Sequence, residues 1–154
     1  MTIAIGSKAP VFTLPASDGS NFSLETLKGK YVVLYFYPKD MTPGCTTQAC
    51  DFRDQHEEFA ALNAVIVGVS TDPVKRHEKF IDKYGLPFTL LADENHEVAE
   101  AYGVWKLKKN FGKEYMGIER STFVIDQEGA LIQEYRKVKV KDHIREVLTF
   151  LKEQ

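Results

Sequence analysis

Tyr31-Val32-Val33-Leu34-Tyr35-Phe36-Tyr37-Pro38 runs directly into Lys39-Asp40-Met41-Thr42-Pro43-Gly44-Cys45-Thr46-Thr47-Gln48-Ala49-Cys50, and the fold turns on how this stretch is read. The first seven residues are continuously apolar and β-rich, which suits a central strand covered on both faces, and Pro38 stops it. Pro43-Gly44 marks a turn. From Cys45 onward Ala49, Phe52, Phe59 and Leu62 share a helical face, with Asp51, Arg53, Asp54, Gln55, Glu57 and Glu58 outside it. Strand, turn and helix in that order place Cys45 where the helix begins and Cys50 inside it.

On the C-terminal side, Ala64 to Ser70 reads as a second buried strand. Asp72-Pro73 reads as an N-cap with proline at the first helical position, followed by the stripe Val74, His77, Phe80, Ile81 and Tyr84 up to a stop at Gly85. Phe88 to Ala92 is a third strand, and Asn95 to Gly103 a short helix. Ser121 to Ile125 and Ala130 to Tyr135 flank Asp126-Gln127-Glu128-Gly129, a strong hairpin signal. Asp142 to Leu151 closes the chain as an amphipathic helix. On the N-terminal side, Val11 to Leu14 and Asn21 to Ser23 flank a turn-rich segment and form a hairpin, with one helical turn after it. Val104 to Glu119 shows no sustained period and reads as a long connection, in which Trp105, Phe111 and Tyr115 are read as packing over the core, the alternative being that they cover the site or contact a reductant. Lys137, Lys139 and Lys141, alternating with Val138 and Val140, have the pattern of an exposed strand edge. The class is α/β: a central mixed sheet with helices on both faces and an N-terminal hairpin.

With 154 residues, 44% of them hydrophobic, the chain suits one domain spanning residues 1–154. A formal net charge of −2 from interspersed acids and bases provides no field to gather nucleic acid or an anionic membrane. Neither a secretory signal nor a stretch of transmembrane length is present, so a cytoplasmic protein is expected. Two cysteines are too few for a disulfide scaffold. His56, His77, His96 and His143 are scattered at no metal-ligand spacing and read as mostly solvated, with His77 bordering the core, and two cysteines alone cannot complete a zinc site.

The chemistry concentrates at Cys45. A cysteine at a helix N-terminus faces unpaired backbone N–H groups and the positive end of the macrodipole, both of which favour thiolate over thiol. Gly44 allows close approach of a ligand to the backbone, and Thr42 can turn its hydroxyl toward the sulfur. In an intact helix, positions five apart have Cα atoms ~8.7 Å from each other. A disulfide needs less than about 7 Å, so pairing of Cys45 with Cys50 requires at least one turn to unwind.

Pro38-Lys39-Asp40-Met41-Thr42-Pro43-Gly44-Cys45 resembles the peroxiredoxin active-site pattern Pro-x-x-x-Thr/Ser-x-x-Cys, and Cys50 five residues on resembles the bacterioferritin comigratory protein, or peroxiredoxin Q, branch. Ala9-Pro10-Val11-Phe12 and Arg120-Ser121-Thr122-Phe123-Val124-Ile125-Asp126 are similar to the same branch. The resemblance implies a thioredoxin-like fold and a thiol peroxidase acting on hydrogen peroxide and organic hydroperoxides. It implies Cys45 as the peroxidatic and Cys50 as the resolving cysteine, with Pro38, Thr42 and Arg120 completing the pocket and Gly44, Thr42 and Arg120 binding substrate. It also implies an intramolecular disulfide recycled by thioredoxin or a glutaredoxin-like protein, a monomer, and no metal, flavin or haem cofactor. Without it, Arg120 reads as a surface arginine paired with Glu119 or Asp126. Two other functions compete: a redox-switched sensor or holdase that exposes Phe52 on oxidation, and a thioredoxin-type disulfide reductase. The latter would want Cys-x-x-Cys and a proline just before Thr122, and the chain has neither.

Overall fold

The computed structural model describes residues 3–154. A five-stranded sheet of order β5-β4-β3-β8-β9 forms its centre. Strand β3 (Tyr31–Phe36) pairs in parallel with β4 (Ala64–Ser70), which pairs in parallel with β5 (Thr89–Ala92). On its other side β3 runs antiparallel to β8 (Ser121–Ile125), and β8 antiparallel to β9 (Leu131–Tyr135). The sheet is therefore mixed, as the alternation of strands and helices followed by a hairpin requires. Strands β1 (Thr13–Pro15) and β2 (Asn21–Ser23) make the N-terminal hairpin, followed by a 3-10 turn over Leu24–Leu27.

Successive residues of a strand point to opposite faces, and β3 is apolar on both. Val33, Tyr35 and Tyr37 join Ile66, Leu90 and Val124 in one buried cluster. The helices α1 (Pro43–Asp54), α2 (His56–Ala61), α3 (Val74–Tyr84) and α5 (His143–Lys152) cover it with Phe52, Phe59, Phe80 and Val147. Val32, Leu34 and Phe36 belong to the opposite cluster with Val67, Val69 and Phe123. That face is covered by Val98 and Ala99 of the short α4 (Glu97–Ala101), by Tyr102, and by Ala16 and Leu24 of the N-terminal segment. Helices thus lie on both faces, four on one and one on the other. No helix among the described residues is long and apolar enough to cross a membrane.

Four expectations need correction. The helix after the turn starts at Pro43 and breaks at Gln55 into α1 and α2. Neither Gly nor Pro marks that break, so the apolar period ran through it. Asp72 does not cap α3, whose N-cap is Pro73; its carboxylate instead accepts from the Ser70 hydroxyl and the Asp40 backbone N–H, both at 2.7 Å. Residues 137–141 form no strand. Finally, the long connection is an antiparallel arm of two strands, β6 (Trp105–Asn110) and β7 (Lys113–Ile118), paired only with each other. Trp105-Lys106-Leu107-Lys108 does alternate, but Lys109 and Asn110 complete β6 without another apolar residue, so the period is too short to register. Phe111 and Tyr115, expected in the packing, are exposed, whereas Trp105 is half-buried and stacks on His96 with ring centroids 4.2 Å apart.

Candidate active site

Between the end of β3 and the start of α1 the chain reverses direction in six residues. Met41 takes a left-handed conformation (φ 63°), Thr42 is the N-cap with extended backbone, and Pro43 occupies the first helical position. Cys45 therefore falls in the first helical turn, where N–H groups have no partner within the helix. Its residue is 1% exposed. Arg120, in the two-residue link between β7 and β8, crosses to it: Nη2 donates to Cys45 Sγ at 3.2 Å and Nη1 to Gln48 Oε1 at 2.5 Å. A Cβ at residue 44 would stand 3.2 Å from that Nη2, so glycine there lets the guanidinium come down onto the helix start.

The other expected residues fall around this pair with some differences. Thr42 Oγ1 donates to the Lys39 carbonyl at 2.8 Å rather than to the sulfur, so its hydroxyl pins the loop. Pro38 is half-buried, two residues past the end of β3. Cys50 is half-buried within the unbroken α1, and both thiols are free. Arg120 makes neither of the ion pairs with Glu119 or Asp126 that its neighbours in sequence suggested.

Beneath α1 lies Tyr35, fully buried, with no partner for its hydroxyl; Gln48 Nε2 is likewise buried and unpaired. Burial first, and negative charge at Cys45 next, push the Tyr35 phenol far above its usual range, so it remains neutral. Its ring fits because Gly68 is its parallel-strand partner: a Cβ at residue 68 would lie 2.8 Å from Tyr35 Cζ. From the arm, Lys108 reaches the same neighbourhood. Burial and then the Arg120 charge hold its ammonium below the usual lysine range, and negative charge at Cys45 opposes them.

A network centred on Asp40, a residue with no role legible in the sequence, fixes the loop from below. Asp40, fully buried five residues before Cys45, accepts from the Tyr37 hydroxyl (2.5 Å) and pairs with His77 Nδ1 (2.6 Å). Its backbone N–H donates to Asp72, and its carbonyl accepts from Arg76 Nη2 at 3.2 Å. His77 Nε2 in turn meets the Leu91 carbonyl at 2.8 Å. His77 is thus a fully buried histidine rather than one at the margin of the core. His143, expected on a solvated face, is also buried, 2.8 Å from Thr122 Oγ1 and with its imidazolium form disfavoured mainly by burial. An imidazole placed on the apolar face of a helical pattern was the available signal for both. No group of three or more His, Cys, Asp or Glu side chains among the described residues could hold a metal. A groove of about 550 Å³ between α1 and α5 is lined by Asp51, Asp54, Glu58, Arg145 and Lys152 and does not include Cys45.

A buried thiol in the first turn of a helix, hydrogen-bonded by a half-buried arginine, is equipped to carry negative charge and to stabilise charge arising on a bound oxygen. Residues 5–134 match the AhpC/TSA family model. The chain is 66% identical over 153 residues to peroxiredoxin Bcp of Bacillus subtilis, covering 99% of this chain and 98% of that one. This chain belongs to the AhpC/TSA family, in its Bcp branch of peroxiredoxins. Peroxiredoxin Bcp of Escherichia coli is 44% identical, with 96% of this chain and 95% of that one covered. Among solved structures, peroxiredoxin Q of Xylella fastidiosa superposes with a TM-score of 0.94 at 36% identity over 99% of this chain and 98% of that one. The bacterioferritin comigratory protein of Xanthomonas campestris, whose alkyl peroxide reduction activity has been pursued through trapped-intermediate complexes, gives 0.88 at 44% identity over 92% and 90%. The fold is the thioredoxin-like fold of peroxiredoxins, and the chain is a peroxiredoxin enzyme. Within this peroxiredoxin the β8 strand that begins at Ser121 is what fixes Arg120, because it is hydrogen-bonded to β3 along its whole length with Phe36 opposite Ser121. Sulfur and guanidinium thus hang from two adjacent strands of one sheet.

Proposed function

We propose that this peroxiredoxin reduces hydrogen peroxide and organic hydroperoxides through a sulfenic acid on Cys45, resolved by Cys50 and recycled by thioredoxin or a glutaredoxin-like protein. The observation that carries this is the 3.2 Å contact from Arg120 Nη2 to a Cys45 sulfur in the first turn of α1. The thiolate sulfur attacks one peroxide oxygen in line with the O–O bond, that bond breaks, and the leaving oxygen takes a proton to become water or an alcohol. Charge appears on the leaving oxygen during the attack, within reach of donors already fixed in place: Arg120 and the backbone N–H groups of Gly44 and Cys45. Pro38 shields the sulfur from bulk water, and Thr42 holds the loop against Lys39. The alkyl peroxide activity of the Xanthomonas relative supports organic hydroperoxides as substrates.

Resolution follows from the second thiol. Cys50 gives up its proton, its sulfur attacks the Cys45 sulfur, and hydroxide leaves as water, closing a disulfide before a second peroxide carries Cys45 further up the oxidation ladder. An intact α1 keeps the two residues too far apart for that bond, so the helix unwinds between them. An external dithiol then returns two electrons and two protons by exchange.

The test is peroxide consumption coupled to thioredoxin, its reductase and NADPH. Wild type turns over continuously, which a once-oxidised sensor does not. Cys45→Ser abolishes consumption, and Cys50→Ser gives one fast oxidation followed by impaired recycling. Full turnover in Cys45→Ser would sink this reading, as would intermolecular dimers dominating the disulfides found by mass spectrometry.

A further inference from the structure

The β6–β7 arm is unusual in what it leaves in water. Cross-strand partners Leu107 and Met116 are 58% and 47% exposed, and Phe111 at the tip is 96% exposed. Phe111 also sits at φ 52°, followed by Gly112 at φ 76°, so the tip is a two-residue turn with both central residues left-handed. Such turns favour Asn or Asp at the first position. A bulky aromatic there is conformationally disfavoured and solvated at once, the kind of outlier from which a functional role is inferred. Four lysines, Lys106, Lys108, Lys109 and Lys113, surround these apolar groups with one acid, Glu114, in a chain whose net charge is −2.

The root of the arm is the active site. Glu119 N–H donates to the Val104 carbonyl at 2.8 Å, closing the hairpin base, and the next residue is Arg120, in contact with Cys45. Lys108 lies within the field of both. Both cysteines of the chain are consumed when the disulfide forms, so the electrons that reopen it come from another molecule, and that molecule must reach the segment from Cys45 to Cys50. On the α5 side, Asp51 and Asp54 of α1 and Glu58 of α2 share a groove with Arg145 and Lys152, so that flank offers no uniformly positive face to an acidic partner.

We propose that the β6–β7 arm is the docking surface for the protein dithiol that reduces the Cys45–Cys50 disulfide, a partner with an apolar patch and an acidic rim around its thiols. This rests on the two-cysteine reading above. Leu107, Met116 and Phe111 supply apolar contact, and the lysines supply attraction and orientation. The partner's two thiols become a disulfide while Cys45 and Cys50 each regain a thiol, a transfer of two electrons and two protons. A second copy of this chain is a poor occupant, because two such arms would bring eight lysines together against two glutamates.

The test compares two reductants of the same oxidised protein, a bacterial thioredoxin and dithiothreitol. Leu107→Ser combined with Phe111→Ser should raise the KM for thioredoxin at least fivefold while leaving dithiothreitol-driven turnover within twofold of wild type. Lys106→Glu combined with Lys113→Glu should do the same and flatten the rise of that KM with salt. A thioredoxin KM unchanged within twofold in both variants overturns the proposal. So does an equal loss with dithiothreitol, or a wild-type dimer in sedimentation velocity that the arm variants convert to monomer. Failure of the underlying reading is distinguishable, because it appears in the wild type: no intramolecular disulfide, or none that thioredoxin reduces.

Discussion

At residue 44 two requirements oppose each other. Glycine inside a helix costs about 1 kcal/mol relative to alanine, and Gly44 occupies the second position of α1. Its missing Cβ is where Arg120 Nη2 comes within 3.2 Å. Gly44→Ala should therefore leave the helix intact and raise resistance to urea by a fraction of 1 kcal/mol. It should also push the guanidinium back by a few tenths of an ångström, lengthening its contact with Cys45 and lowering kcat/KM for peroxide by up to about tenfold, the limit set by loss of one charge-assisted hydrogen bond of ~1.5 kcal/mol. Urea titration and stopped-flow oxidation of the one variant measure both; activity that stays at wild-type level would mean the arginine contact contributes nothing to peroxide attack. The position of Cys45 was legible because Pro43-Gly44 before a polar-apolar helical pattern is local chemistry. Arg120 at the sulfur was not, because the link between residues 45 and 120 exists only once β8 pairs with β3. The resemblance to peroxiredoxins carried that residue, where charge pattern alone favoured a surface ion pair.

The element that orients α1 is the loop before it, and the loop is held through Asp40. With His77 Nε2 facing a carbonyl oxygen, that nitrogen carries a hydrogen, and one further proton lies between Nδ1 and the Asp40 carboxylate. Asp40→Asn keeps every contact: its Oδ1 accepts from Tyr37, its Nδ2 donates to a neutral Nδ1, and Nε2 still donates to Leu91. Asp40→Ala leaves Tyr37 Oη and His77 Nδ1 buried with only each other, at a long 3.4 Å. Removing one member of a buried pair typically costs about 3–5 kcal/mol, so alanine should destabilise by that amount and asparagine by roughly 1 kcal/mol or less. Urea unfolding decides it, and equal losses in the two variants would show that charge rather than hydrogen-bond geometry holds the loop. Asp72 was read as a helix cap from the Asp-Pro pair, a local signal that a longer-range bond to the Asp40 N–H overrides. The two hairpins make the same point. Asp126-Gln127-Glu128-Gly129 was legible because turn residues sit where turn chemistry wants them, with Gly129 at φ 91°. The arm's turn has phenylalanine in a left-handed position, and beyond the Trp105–Ile118 pair at the base its strands have no buried face to impose a period.

At the scale of the whole molecule, the proposed reaction sets a Cys45–Cys50 disulfide against the core. Strand β3 buries both of its faces, and on the α1 side the Tyr35 ring packs at a tilt against Phe52 (centroids 4.7 Å apart), which also meets Phe59 and Phe88. Cys45, Gln48, Ala49 and Phe52 are the buried residues of α1, so the turn that must open for Cys45 to reach Cys50 is the one packed on the sheet. Closing a loop of about six residues restricts the unfolded chain by roughly 2 kcal/mol. Against this, opening one turn gives up about four helical hydrogen bonds at about 1 kcal/mol each. The balance runs opposite to that of an ordinary structural disulfide: oxidation should lower the stability of the molecule by about 2 kcal/mol. For a chain of this length that corresponds to a fall in Tm of roughly 4–8 °C. Calorimetry on the dithiol and on protein oxidised by one equivalent of peroxide measures the difference. Amide exchange should then show residues 43–54 losing protection on oxidation while β3, β4 and β8 retain theirs. A Tm that rises on oxidation would mean the disulfide forms without opening the packed helix. A fall confined to α1 would instead mean that the core acts as the spring returning the helix, and with it Cys45, to the wound state once the dithiol is restored.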